Sequence, residues 1–263
     1  MTPYQMMLIA NELMIKGVPV SANEQARIAG TLWQGLSSEQ TVNTFRQSLK
    51  TAFHTGSANI MMSPRYFVPP VLNKKMRTLT WVTPRTHLFS ANAYELEIMR
   101  LLAFMDADSV RLQSMINTTA DRLDGACFGR FCAEGECYET SLVALRFTAS
   151  VFPDDLQRIQ PLLDGAVRYL ADHPRHSGTV FYFRLLLSEL PPVTALPVIA
   201  AMREPLLQQL CRSYVANSSD DVYVNTLAKY ILRNCLVRLP EYAYLQNTAP
   251  YLSTKDGRIH FDI

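Results

Sequence analysis

The chain has 263 residues, of which 48% are hydrophobic and 18% charged, with 25 basic and 23 acidic side chains. That length can bury a sizeable core, and that composition excludes long disordered tails. The net charge of +2, spread without runs, excludes the electrostatic footprint of a nucleic-acid binder, and no apolar run reaches the roughly 20 residues that a membrane-spanning helix needs.

The N-terminal stretch MTPYQMMLIANELMIKGVPV lacks a basic leader, carries Glu12 inside its apolar run and spaces its apolar residues helically, so it reads as a first helix and not as a signal peptide. The pattern predicts helices near Tyr4–Ile15, Asn23–Leu36 and Glu39–Phe53, with Ser21 and Ser38 as caps. A long segment follows, broken by Pro64, Pro69, Pro70 and Pro84. A loop this long in a compact domain points to a functional lid or binding arm. Its one strand-like stretch is RTLTWVTP, Arg77 to Pro84.

Beyond residue 90 the sequence repeats. Tyr94, Tyr138, Tyr182 and Tyr223 are spaced by 44, 44 and 41 residues, and each is followed four positions later by an aliphatic residue, Ile98, Leu142, Leu186 and Leu227. That is the stripe of a helix with one buried face. Ser90 and Asn92 read as start signals for the first of these helices, and Ser219, Asp220 and Asp221 for the fourth. Second helices are predicted between them, at Ser109–Leu123, Leu156–Ala171 and roughly Ala195–Val215. Hairpins of 40 to 45 residues cannot bury their faces alone and must stack. The fold class is therefore all-α, with stacked helical hairpins over residues 91–263 and, over 1–90, N-terminal helices and a Pro-rich arm packed on the same domain.

Five cysteines, an odd number without a secretory leader, place the chain among proteins with reduced, cytoplasmic thiols. Cys211 and Cys235 sit in apolar helical contexts and read as small buried side chains. The other three lie in LDGACFGRFCAEGECYETSLVALR, where Asp124, Gly125, Phe128, Gly129 and Tyr138 follow one another in the order of a QW-type repeat. This stretch resembles the terpenoid cyclase and protein prenyltransferase superfamily, although only one of the four loops carries the pattern. The resemblance implies an α/α toroid, complete or incomplete, whose tyrosine-led helices line a cavity with their first turns at its mouth.

The same resemblance implies chemistry. Cyclases of this kind protonate an alkene with a desolvated aspartic acid, and the nearest string is MDADS, with Asp106 and Asp108; the plain alternative is a turn that caps the next helix. Glu139 follows Tyr138 as Glu95 follows Tyr94, in the first turn of its helix, where the helix dipole favours a carboxylate. Glu139 would otherwise stand at the cavity rim as an acid, with Arg130 as a polar anchor. Tyr94, Tyr138, Tyr182 and Tyr223 either line a pocket for an apolar substrate or wedge neighbouring hairpins together. No resident metal or cofactor is expected; the minority alternative is zinc held by Cys132, Cys137 and His176 with a water.

Two main readings of function follow, beside a third, a carbohydrate-active helical toroid with acids, tyrosines and histidines facing one polar cleft. One is an enzyme, a lyase or isomerase that takes a small hydrophobic, isoprenoid-type molecule into a closed apolar cavity. The other is a non-catalytic helical-repeat protein that holds a peptide or protein partner on its concave face or on the Pro-rich arm at 63–84. The first demands a desolvated carboxyl group in the cavity, the second an open groove with polar and aromatic lining. An open ring would leave an end suited to homodimerisation.

Overall fold

Three N-terminal helices begin where their side-chain caps stand. In the computed structural model, which describes residues 1–52, 63–69, 75–126, 136–173 and 177–262, they are α1 (Pro3–Lys16), α2 (Ala22–Trp33) and α3 (Glu39–Ala52). Ser21 and Glu24 close a capping box on α2, and Ser38 Oγ accepts the Thr41 amide at 3.2 Å at the start of α3. Four further helices follow: α4 (His87–Met105), α5 (Val110–Asp124), α6 (Cys137–Val151) and α7 (Leu156–Asp172). The chain then continues as α8 (Ser177–Glu189), α9 (Pro192–Ala201), α10 (Arg203–Cys211), β1 (Tyr214–Val215), α11 (Ser219–Leu236), a 3-10 helix (Pro240–Asn247), β2 (Tyr251–Leu252) and β3 (Arg258–His260). The protein is all-α apart from this small sheet, ordered β1-β3-β2 and antiparallel throughout. No helix among the described residues is long and apolar enough to cross a membrane.

The chain forms two compact units: Met1–Asn11 with Pro19–Arg175, and Glu12–Val18 with His176–Ile263. In the first, α4 and α6 lie side by side and parallel. Their capping residues meet, because the Glu136 carboxylate accepts the Thr86 amide and hydroxyl, both at 2.7 Å, and further along Arg146 donates to Glu97 at 2.7 Å. Helix α5 runs back antiparallel between these two in sequence, with Arg122 donating to Asn92 and Glu95 and Thr119 to Met99. This is the helix–return–helix unit that the repeat predicted.

The expected one-sided burial does not describe α4. Every residue from Phe89 to Leu102 is buried, including Ser90, Asn92, Glu95, Glu97 and Arg100. Polar positions that would suit a solvent face are instead satisfied inside the protein. Glu97 accepts Arg146 Nη1 with both oxygens and Arg100 Nε at 3.2 Å, while both arginines also donate to Asn11 on α1. All four side chains are almost fully removed from solvent. A buried charge is tolerated only when paired, so this layer forces α1, α4 and α6 into a single arrangement. Glu97→Ala, which strands two buried guanidinium groups, is expected to cost about 3–5 kcal/mol in urea denaturation, and a double-mutant cycle with Arg146→Ala should show a coupling above roughly 1 kcal/mol.

The second unit uses the same economy of charge at helix ends. Helices α8 and α11 are parallel: Cys235 Sγ donates to Arg184 O, and Arg238 donates to Leu187 O and Leu190 O at the C-terminus of α8. Lys229, fully buried, donates to the carbonyls of Gln209, Leu210 and Arg212 at the end of α10, and Asn234 donates to Ile15 O at the end of α1. Cations and amide donors on α11 and just beyond its end thus complete the unpaired carbonyls of three other helices. Burial drags the Lys229 ammonium down to about 8 from the ordinary 10.5, with the nearby Cys211 acting the other way. Because the folded value lies below the unfolded one, the unfolded chain binds more protons between pH 8 and 10.5, and stability rises across that window. Relative to Lys229→Met, the wild type should gain up to roughly 3 kcal/mol in denaturant titrations run from pH 7.5 to 10.5.

Three local expectations differ. The helix predicted over Ala195–Val215 is two helices and a strand, broken at Met202. Pro205 has no N–H for the Ala201 carbonyl, which removes one bond of the ladder at the break, although α7 and α9 run on through Pro161 and Pro197. Arg77 to Pro84 is not a strand but a turn, closed by bonds from Thr78 N to Val82 O and Trp81 N to Thr78 O, with Trp81 at φ 64°. Helix α4 starts at Thr86, whose side chain caps Phe89, so Ser90 and Asn92 lie inside it.

Candidate functional site

Helix α3 presents two adjacent stripes. Val42, Phe45 and Leu49 form its apolar one and pack with Val68, Ala91 and the half-buried Leu88. Glu39, Asn43 and Arg46, offset by one position around the helix, line a cleft of about 490 Å³ together with Ser37, Val42, Arg65 and Tyr66. The opposite wall is the segment 63–69, the described middle of the Pro-rich arm.

This segment is clamped from two sides. Glu95 Oε1 accepts the amides of Arg65 (2.7 Å), Tyr66 (2.7 Å) and Phe67 (3.3 Å), while its Oε2 accepts Arg122 at 2.7 Å. Consecutive amides converging on one oxygen form a nest, here filled by the protein's own carboxylate. On the other side the Ser37 amide donates to Tyr66 O at 2.8 Å and Ser37 Oγ accepts the Val68 amide at 3.0 Å. The backbone at 65–68 is thereby fixed, and with it the point from which the Arg65 and Tyr66 side chains leave. The arm predicted as a lid is, over these residues, a wall.

Arg46 is fixed from below: its Nε donates to the fully buried Ser63 Oγ at 3.1 Å. Neither Arg46 nor Arg65 has a carboxylate partner among the described residues, unlike Arg100, Arg122 and Arg146 in the interior. The charges crowd one another. Burial lowers the pKa of Arg122, Glu95 raises it, and Arg65 and Arg46 then lower it again. The cleft wall and the buried arginine behind it therefore form one electropositive body with Glu95 as its internal counter-charge.

None of the described residues singled out from the sequence lines this cleft. Asp106 ends α4, and its Oδ2 accepts Trp33 Nε1 at 2.8 Å; Asp108 is exposed in the turn that follows, ahead of the cap Ser109. Glu139 is half-buried in the first turn of α6. Tyr94 is 3% exposed on α4, and burial pushes its hydroxyl up to about 12. Tyr138 donates to Ala166 O at 3.2 Å and stacks on Tyr169 at 4.0 Å, which stacks on His173 at 4.1 Å. Burial, then Glu139 and Tyr169, raise its pKa. Tyr182 and Tyr223 belong to the second unit, on α8 and α11. Arg130, Cys132 and His176 lie outside the described residues, and Cys137 is half-buried at the start of α6. Cys235 is buried as expected, its thiol pushed up to about 12, whereas Cys211 is exposed. Among the described residues no three His, Cys, Asp or Glu side chains gather as a metal site would require.

The tyrosines do not share a level. Contacts between α4 and α6 join residues 49 to 51 apart, five to seven more than the tyrosine spacing, which staggers Tyr94 and Tyr138 by roughly 9 Å along the helix axes. Tyr94 is also seven residues beyond the start of its helix, not in a first turn. Glu95, likewise read as a first-turn carboxylate, is mid-helix and serves as the clamp. The signal for it was available: a carboxylate inside a continuous apolar run marks a buried partner. Arg46, Arg65 and Ser63 carried no such mark, since their convergence depends on contacts 17 to 31 residues apart.

No known family model, curated protein or solved structure matches the chain significantly. The clamp makes its own prediction. Glu95→Ala should speed hydrogen exchange at the Arg65, Tyr66 and Phe67 amides by roughly tenfold to a hundredfold, with the amides of α11 unchanged.

Proposed function

We propose that the chain is a non-catalytic helical-repeat protein that binds a segment of a peptide or protein partner in the cleft between α3 and residues 63–69. The supporting observation is the contrast between its carboxylates and its arginines. An isoprenoid-cyclising enzyme needs an acid with a proton to give inside an apolar cavity. The buried carboxylates here, Glu95, Glu97 and Glu136, use their oxygens as acceptors for N–H and O–H donors, an arrangement that holds structure in place. The cleft beside α3, by contrast, is lined by two cations that have no carboxylate partner among the described residues, an aromatic ring and polar side chains. That is the lining expected of a surface that reads polar, acidic chain segments.

The reading is tested by panning the purified full chain against phage-displayed random linear peptides. Selected peptides should be enriched in acidic residues and lose retention by at least roughly tenfold on the variants Arg46→Glu and Arg65→Glu, whose thermal melts stay within a few degrees of wild type. Retention that survives both reversals, or no selectable peptide alongside turnover of an isoprenoid diphosphate, would refute it.

A further inference from the structure

We infer that the group read in this cleft is a phosphoryl group carried on a side chain of the partner, so that the protein binds a phosphorylated peptide. This rests on the peptide-binding reading above and narrows it to one chemistry. Three features of the cleft support the choice.

The first is charge. The lining carries Arg46 and Arg65 against one acidic side chain, Glu39. Neither guanidinium has a carboxylate within ion-pair distance among the described residues, although the interior arginines do. A single carboxylate would bring one negative charge, while a phosphoryl group brings between one and a half and two at neutral pH. The Arg122–Glu95 pair behind the wall is neutral as a unit, so the lining charge is that of Arg46 and Arg65 less the exposed Glu39, which pairs with neither arginine, and one phosphoryl group can meet both guanidiniums at a single point.

The second is donor geometry. Arg46 spends Nε on Ser63 and keeps its terminal amino groups, and Arg65 makes no side-chain hydrogen bond among the described residues. Ser37 Oγ already accepts from the Val68 amide, which leaves its hydroxyl proton to donate. With the Tyr66 hydroxyl and the Asn43 amide the cleft offers two guanidinium forks and three further donors on separate walls. A planar carboxylate satisfies one fork in one plane, whereas the three oxygens of a phosphoryl group can accept from donors on both walls of the cleft.

The third is preorganisation. Arg46 is anchored on a buried hydroxyl, and the Arg65 backbone is held by Glu95, a residue with no exposed surface. Flexible surface arginines lose side-chain entropy on binding; here part of that ordering is already complete. The cleft is also far larger than one phosphoryl group, which leaves room for flanking peptide.

The test uses the full chain and three fluorescein-labelled degenerate peptide libraries that share a fixed central position: phosphoserine, serine or glutamate. Anisotropy should show the phosphoserine library binding at least tenfold more tightly than the other two, and inorganic phosphate at millimolar concentration should displace it. Arg46→Ala and Arg65→Ala should each weaken it by at least tenfold, and Arg65→Lys, which keeps the charge but loses the fork, by a smaller factor of two to five. If the glutamate and phosphoserine libraries bind alike, the phosphoryl inference fails and the acidic-peptide reading stands. If none of the three libraries binds, both fail. If inorganic phosphate binds with undiminished affinity while no library does, the cleft is a free-phosphate site and the peptide inference is overturned.

Discussion

Everything in the first unit is arranged around the need to pair the charges buried on α4. Glu95, Glu97 and Arg100 sit on a stretch of helix, Phe89 to Leu102, with no solvent-facing side, so beyond the Glu97–Arg100 contact their partners must come from neighbouring elements. Glu97 draws in α6 through Arg146 and, through the shared Asn11, the first helix. Glu95 draws in α5 through Arg122 and the 63–69 segment through three amides. Hydrophobic burial holds such helices together without choosing between registers, because one aliphatic contact resembles another. A carboxylate that must meet a guanidinium chooses.

The cleft is a by-product of that choice. Glu95 holds 65–67 against α4, the apolar stripe of α3 packs on the same helix with Val68, and the concavity is what remains between the two walls. Among the described residues the arginines that line it have no carboxylate partner, because the nearby buried acid is already engaged by Arg122 and the nest. The shape of this cleft is thus tied to the core through Glu95, whose two oxygens face the interior cation and the wall, with Ser37 holding the wall from the other side. In the second unit, Lys229 of α11 and Arg238 just beyond its end serve a simpler purpose and complete the carbonyl ends of other helices.

Helical content, most helix positions, two caps and the pairing of tyrosine-bearing helices are legible in the chain because they depend on residues three to four apart or on a repeat. The same logic misplaced the tyrosines as a common level. A spacing of 44 reflects the length of the hairpin in sequence, whereas side-by-side contact depends on how far each helix extends before its tyrosine, and α4 begins early because Thr86 caps it and Glu136 binds that cap. The break at Met202 was not set apart by Pro205, since Pro161 and Pro197 sit inside unbroken helices, and the turn at Trp81 was hidden because alternating Thr, Leu and Trp residues suit a strand when no partner strand is considered.

By itself, then, the sequence determined that the protein is helical, that its helices come in returning pairs, and that it carries no charge pattern for nucleic acid and no bilayer-length apolar run. Local periodicity and composition are enough for those, because both are properties of short windows. Which charges are buried, which are paired and which two arginines are left facing a concavity was decided only in three dimensions. Pairing energy depends on distance through space, and the partners of Glu95, Glu97 and Arg46 stand tens of residues away along the chain.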